Sequence, residues 1–156
     1  MIQRIQSLYL FLAFVAVVLI FIFPLAEFSG TGVHCVLKVT GLKYFPESVQ
    51  PVFVNIVPLL ILLPGISLLL LISIFLFKNR VMQLKLVKVD MILSVVFIIL
   101  IFGFSEYLIG KNIPGIEPVL YRAGSYLSLV NVVLLILASR RIIHDDKKIK
   151  AADRIR

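Results

Sequence analysis

The sequence has few of the residues on which catalytic and metal sites usually depend. It contains one cysteine, two histidines and no tryptophan. A single thiol, Cys35, excludes an internal disulfide and a dithiol redox relay, since each needs two cysteines. His34 stands next to Cys35, but zinc takes three or four ligands and neighbours on a strand point to opposite faces. Neither a metal site nor a Cys–His nucleophile is therefore expected.

Recognisable catalytic motifs are also missing. The chain has no glycine-rich phosphate loop, no G-x-S-x-G and no H-E-x-x-H. These motifs place a nucleophile, a phosphate-binding backbone or a pair of zinc ligands in one small region. We therefore predict that the chain is not an enzyme, and that it holds no cofactor and no metal.

Charge is scarce and hydrophobic residues are abundant. Of the 156 residues, 61% are hydrophobic and 15% are charged, and the mean hydropathy is +1.10. Soluble domains are about 45–50% apolar and about 25% charged. A soluble fold of this size leaves much of its surface in water and could not hide so much apolar area. The composition therefore predicts an integral membrane protein.

Four apolar stretches are long enough to cross a bilayer, which needs roughly 20 residues in a helix. Backbone groups in lipid must bond internally, so these stretches should be helices. We predict an all-α membrane protein with one domain over 1–139, an antiparallel four-helix bundle. A basic tail over 140–156 follows and should also be helical, because Asp146 and Lys150 stand four residues apart. The predicted helices lie at about 7–25, 51–77, 89–109 and 121–139.

The basic residues predict the orientation. Short cytoplasmic loops carry an excess of Lys and Arg. Four basic residues fall on one side, and they are Lys38, Lys43, Lys111 and Arg122. Twelve fall on the other, and they are Arg4, Lys78, Arg80, Lys85, Lys88, Arg140, Arg141, Lys147, Lys148, Lys150, Arg154 and Arg156. Both termini should therefore be cytoplasmic, where the basic residues would attract anionic lipid.

The loop after the first helix, 26–50, is the only sizeable segment outside the predicted helices. It is rich in β-branched residues and is punctuated by glycines, including Gly30, Gly32 and Gly41. This pattern predicts a short β-hairpin on the outer face. The second outer loop, 110–118, is rich in Gly and Pro and should be irregular.

The predicted second helix contains Pro58, Pro64 and Gly65. A proline inside a helix removes a backbone hydrogen bond and kinks the helix. We favour a kink that serves packing, since neighbouring helices in a membrane tolerate it. A hinge or a broken-helix binding site is the alternative.

Charged side chains inside membranes are the first candidates for function. Asp90 should form an ion pair at the membrane surface with Lys85 or Lys88, near a helix N-terminus. Glu106 and Arg122 should lie at the same level and could pair, although a substrate or proton role for Glu106 is an alternative. No carboxylate is expected deep in the bundle.

Small and polar residues inside the predicted helices indicate helix–helix contacts. Gly124 and Ser128 have the small-xxx-small spacing that lets two helices approach closely. Asn55 and Asn131 should donate hydrogen bonds between helices.

Three segments together resemble a known family. They are 1–10 (MIQRIQSLYL), 76–84 (LFKNRVMQL) and 152–156 (ADRIR). The chain resembles, end to end, an uncharacterised family of four-helix inner-membrane proteins of the Bacteroidetes, domain of unknown function family 4293. The resemblance implies the topology and a bacterial inner-membrane location, and nothing about activity. It also makes one set of residues a candidate contact surface: Lys78, Asn79, Arg80 and Gln83.

Three functions are consistent with these sequence features. A non-enzymatic structural or accessory subunit of a larger membrane complex is favoured, because loops are short and polar motifs lie at the cytoplasmic rim. A small transporter or channel, built as an oligomer, is the alternative. An envelope enzyme acting through Glu106, Arg122 or His34 is the weakest, because their spacing matches no catalytic motif.

Overall fold

The computed structural model of the protein describes residues 3–30, 33–45, 56–109 and 118–153. Within these ranges it has four long helices and a small antiparallel sheet, which confirms both kinds of element predicted from the sequence. The helices are α1 (Gln3–Ile22), α2 (Val57–Phe75), α3 (Arg80–Gly103) and α4 (Ala123–Asp153). The strands are β1 (Ala26–Gly30), β2 (Val33–Lys38), β3 (Gly41–Phe45) and β4 (Leu120–Tyr121).

Each of the four helices is long and apolar enough to cross a bilayer. Large apolar side chains project outward from them, and Ile61 and Ile99 are both more than 60% exposed. Outward-facing apolar residues are unfavourable in water and favourable in lipid. The four helices therefore have the surface expected of a multi-pass membrane protein.

The third helix begins at Arg80 rather than near residue 89. A 3-10 turn (Leu76–Lys78) joins it to α2, so almost no loop separates the two helices. The charged residues Lys85 and Lys88 led to the prediction of a later helix start. Both side chains are exposed, however, while the opposite face of the helix is buried. At its other end α3 continues as a π-helical segment (Phe104–Ile109).

The second helix contains Pro58 at its first turn and Pro64 in its interior. An N–H in the first turn has no partner inside the helix, so Pro58 does not interrupt α2. The helix also continues through Pro64 and Gly65 to Phe75. The predicted start of this helix at residue 51 and Asn55 both lie outside the described residues.

The helices form a closed ring in which α1 contacts α2 and α4, and α3 also contacts α2 and α4. The antiparallel α1 and α4 meet at Gln6 and Asp145 at one end. At the opposite end the Gly124 amide donates to the Pro24 carbonyl over 2.9 Å. We call the end with Gln6 and Asp145 the tail end, and the end with Gly124 the sheet end. Beyond the tail end, α4 continues to Asp153 without a break.

The sheet has the strand order β3-β2-β1-β4, and all its pairs are antiparallel. It has two strands more than the predicted hairpin, because β1 pairs with β2, and β4, which precedes α4, pairs with β1. Burial alternates along β2: Cys35 and Leu37 are fully buried, whereas His34 is exposed. The alternation places one face of the sheet in the core, together with Phe28.

The core runs through the whole bundle. In lipid, helices associate through close packing and interhelical hydrogen bonds, since the lipid tails are as apolar as the core. The largest fully buried side chains include Leu10, Ile20, Leu25, Phe28, Leu63, Ile66, Leu70, Phe97, Ile101 and Leu135. Small residues, Ala13 and Ala138, are also fully buried and allow the helix backbones to approach.

Candidate functional site

The centre of the bundle contains a polar contact between α3 and α4. The Asn131 amide Nδ2 donates to Ser94 Oγ over 3.0 Å, and both side chains are buried. Asn131 Oδ1 is also buried, and no hydrogen bond to it is found in the described part of the chain. Ser128, one turn away on α4, donates to the Ser125 carbonyl. Asn131 therefore forms an interhelical hydrogen bond, as predicted, and its partner is Ser94. Its Oδ1 acceptor has no partner among the described residues.

Asp90 lies one helical turn from Ser94, on the same buried stripe of α3. Its side chain is fully buried, and neither carboxyl oxygen has a hydrogen-bond partner among the described residues. The expected surface ion pair is not formed, because Lys85 and Lys88 face outward while Asp90 faces inward. A helix start at Arg80 also removes the expected helix N-terminus near Asp90. The bundle thus contains the deep carboxylate that the sequence did not predict.

The space beside Ser94, Ser128 and Asn131 is narrow. It is bounded on its other sides by Val17, Ile20, Leu63, Ile66 and Phe97, and it has no room for a water molecule. These polar groups therefore face a dry, packed interior. Of these groups, Asn131 and Ser94 join α4 to α3, whereas Ser128 bonds within α4.

The predicted contact surface at 78–83 is divided between different environments. Asn79 is exposed and caps α3, since its Oδ1 accepts a hydrogen bond from the Met82 amide over 3.3 Å. Gln83 is buried, and its Nε2 donates to the Ser73 carbonyl over 3.0 Å, joining α3 to α2. Lys78 ends the 3-10 turn. Arg80, a member of this predicted set, borders an open cavity.

That cavity, which we call the tail-end cleft, lies between the first turns of α3 and the last part of α4. It has a volume of about 350 Å³. Its lining residues are Arg80, Val81, Leu84, Ile142, Ile143, Asp146 and Lys147. The cleft therefore combines charged groups with an apolar wall, and sequence reasoning missed it because its two sides are about sixty residues apart.

At the sheet end, the predicted Glu106–Arg122 pair is replaced by two other contacts. Arg122 forms an ion pair with Glu27 of β1. Glu106 instead accepts a hydrogen bond from the Tyr121 hydroxyl over 3.1 Å. Burial, then the hydrogen bond and the charge of Glu106, raise the pKa of Tyr121 to about 12. These contacts join the sheet to α3 and α4, and no reactive geometry results.

Cys35 and His34 lie on opposite sides of β2, as the strand alternation predicts. Burial raises the pKa of the Cys35 thiol, which makes it a poor nucleophile. Across the described ranges, no three His, Cys, Asp or Glu side chains come close enough to hold a metal ion.

Comparison with known families agrees with the resemblance in the sequence. The family model described as Domain of unknown function (DUF4293) matches residues 2–155. The chain belongs to this family. No curated protein matches the sequence. Membership in DUF4293 therefore gives the chain relatives, but it brings no activity with it.

Proposed function

We propose that this DUF4293 protein is a non-enzymatic accessory subunit of a membrane complex, located in a bacterial inner membrane. The observation that carries the proposal is the narrow interior beside Ser94 and Asn131, which has no space for water. Helices that pack without a water-sized gap at this point suit a packing role. Its exposed apolar helix faces, around Ile61 and Ile99, would then contact lipid and a partner.

The test of a partner is site-specific cross-linking in native membranes. A photoreactive residue replaces one exposed side chain on each of three helices: Ile61 on α2, Ile99 on α3 and Val133 on α4. An accessory subunit should give a discrete adduct with one protein from one helix face, and lipid adducts from the others. Thr40, exposed in the turn between β2 and β3, is the control site. A protein that forms no adduct from any face would refute the accessory role.

We further propose that both termini face the cytoplasm, as the twelve basic residues on the side of the tail indicate. The single cysteine allows a simple test. A Cys35→Ala/His34→Cys variant exposes a thiol on the sheet, whereas the native Cys35 is buried. A membrane-impermeant maleimide should label this variant in intact cells and leave the wild type unlabelled. Labelling only after the membrane is permeabilised would reverse the proposed orientation.

A small transporter or channel, built as an oligomer, is the second candidate, and Asp90 is the observation that favours it. An ionisable residue inside a membrane bundle commonly marks an ion or proton pathway. Reconstitution into liposomes with flux measurements tests this candidate. Asp90→Asn should abolish a genuine flux, while Glu106→Gln, at the exposed sheet end, should not. Absence of any flux in the wild type, or equal flux in Asp90→Asn, would exclude this role for Asp90.

A further inference from the structure

The tail-end cleft has one charged side chain, Arg80, whose bonding is incomplete. Arg80 lies at the start of α3, and its Nη1 atom is buried, with no hydrogen-bond partner found among the described residues. A buried guanidinium nitrogen without an acceptor is unfavourable, because it has lost its water and gained nothing in exchange. The Arg80 guanidinium, which borders the cleft, therefore has one nitrogen that neither water nor the described part of the protein satisfies in this arrangement.

The charge of the cleft favours an anion. Arg80 and Lys147 contribute two positive charges, and Asp146 contributes one negative charge. Asp146 is half-buried and has an interaction within the chain. A guanidinium fork matches the oxygens of a phosphate, and a lysine ammonium adds a second donor. A phosphate group could thus bind where Arg80 and Lys147 approach the cavity.

The remaining wall is apolar and excludes a purely polar ligand. It consists of Val81, Leu84, Ile142 and Ile143, and Val81 is more than half exposed. A free phosphate ion would leave this wall in contact with water. An amphiphile with a phosphate head and an acyl chain would cover it and bring the head to Arg80.

Contacts with α1 and α2 hold the two walls of the cleft in place. The residue before the cleft-lining Asp146 on α4 is Asp145, whose side chain is buried. Its Oδ2 accepts a hydrogen bond of 2.7 Å from Gln6 of α1. On the other wall, Gln83 fastens α3 to α2. Both walls are therefore fixed by contacts that leave the cleft itself open.

We propose that the tail-end cleft binds one anionic phospholipid, with its phosphate on Arg80 and Lys147 and the start of an acyl chain along Val81, Leu84 and Ile142. Basic pockets between membrane helices near the cytoplasmic surface commonly bind such headgroups. The inference uses the proposed membrane location and orientation only to place the cleft at the cytoplasmic leaflet. It does not depend on the accessory role.

Native mass analysis of the full chain in detergent tests the site directly. The wild type should retain phosphatidylglycerol in preference to phosphatidylcholine. Arg80→Gln should lower the retained phosphatidylglycerol about tenfold, as expected for one lost charged hydrogen bond. Val81→Trp, which fills the cleft without changing charge, should lower it as well. Lys85→Gln on α3 and Arg141→Gln on α4 remove exposed basic residues outside the cleft and are the matched controls.

Three results would overturn the proposal. Equal losses in Arg80→Gln and the two controls would indicate diffuse attraction to basic residues. Full retention in Val81→Trp would show that the cleft is not the binding site. In the third result, inorganic phosphate in excess displaces the lipid and protects the chain against thermal unfolding as well as phosphatidylglycerol does. That result would assign the site to a soluble phosphate compound. Arg80→Gln should fold, since it removes an unpartnered buried nitrogen, and the cross-linking test remains independent of these results.

Discussion

The sheet end and the tail end of the bundle are joined by different kinds of bond. At the sheet end, the backbone makes most of the contacts between α1, the sheet and α4. The Leu25 amide donates to the Leu37 carbonyl over 2.8 Å, and the Arg122 amide donates to the Leu25 carbonyl over 2.9 Å. Ser125 Oγ also donates to the Leu25 carbonyl. These backbone hydrogen bonds do not depend on side-chain identity, so they tolerate substitutions that bring no new atom against the backbone.

At the tail end, side chains make the corresponding contacts. Gln6 joins α1 to α4 through Asp145, and Gln83 joins α3 to the Ser73 carbonyl of α2. Such contacts exist only with particular residues, and they leave the tail-end cleft between α3 and α4. The difference indicates that backbone geometry closes the sheet end, whereas the closure of the tail end depends on the identity of particular side chains.

The largest effect is expected at Gly124, where the sheet end is most tightly closed. A Cβ atom there would lie 2.7 Å from the Pro24 carbonyl oxygen and 3.1 Å from that of Phe23. Backbone atoms cannot move aside as a flexible side chain can, so Gly124→Ala should lower the free energy of unfolding by about 1–3 kcal/mol. Unfolding in detergent by heat or denaturant measures it.

The controls for this prediction are Gly65→Ala and Gly103→Ala. A Cβ at either position meets no atom within 4 Å. Alanine forms helices more readily than glycine, so both variants should be unchanged or slightly more stable. If Gly124→Ala were as stable as these controls, the sheet end would be less closely packed than described.

A second large effect is expected at the tail end, from Gln6→Leu. This substitution leaves the Asp145 carboxylate buried without its donor, and Asp145 Oδ1 already has no partner among the described residues. The loss should be about 1–3 kcal/mol. Hydrogen exchange should increase in α1 and in the last turns of α4, and not at the sheet.

The matching double variant, Gln6→Leu/Asp145→Leu, removes both polar groups. It should recover much of the stability lost in Gln6→Leu, because no buried group then lacks a partner. A double variant as unstable as the single one would mean that the two side chains are not coupled. In that case the tail end would depend on packing more than on this hydrogen bond.

A smaller effect is expected at Asn79, which caps α3 beside the cleft. Its Oδ1 accepts from the Met82 amide, and loss of such a cap in Asn79→Ala typically costs about 1 kcal/mol. Asn79→Asp keeps a capping oxygen and is the control. Equal unfolding midpoints for Asn79→Ala and Asn79→Asp would show that the turn between α2 and α3 does not depend on this cap.

Much of the fold could be predicted from the sequence because lipid imposes simple rules. Long apolar stretches must be helices, and a β-branched outer loop is typical of strands. The start of α3 could not be found in this way. Lysines on the exposed face of its first turns lower the local hydropathy, so the apolar stretch begins later in the sequence than the helix does. Asp90 was misplaced for the same reason, because its position relative to the helix start was wrong by more than two turns.

The partners of charged residues were the least predictable feature. Arg122 pairs with Glu27, which lies 95 residues away in the sequence, and Glu106 pairs with Tyr121. Both contacts depend on the two-residue strand β4, which pairs with β1. So short a strand has no sequence pattern of its own, and its position is determined only when the bundle is assembled.

The smallest effect concerns Tyr121, the side chain that joins β4 to the end of α3. Its pKa of about 12 exceeds the value near 10 of an unfolded tyrosine. Below pH 10 the phenol is protonated in both states, and its contribution to stability is fully present. Between pH 10 and 12 only the unfolded state loses its proton, so this contribution should fall and then level off. The change should be small, because Tyr121 is only half-buried.

Ultraviolet titration of phenolate absorbance in the wild type and in Tyr121→Phe isolates the contribution of this residue. Tyr121→Phe should remove absorbance that appears near pH 12 in the wild type. Glu106→Gln should lower the pKa of Tyr121 by removing a negative charge, yet leave it above the ordinary value, because burial is the larger cause. If phenolate absorbance near pH 12 were the same in Tyr121→Phe as in the wild type, the closed environment of the sheet end would not extend to β4. The contrast between the two ends would then depend on Gly124 and the backbone alone.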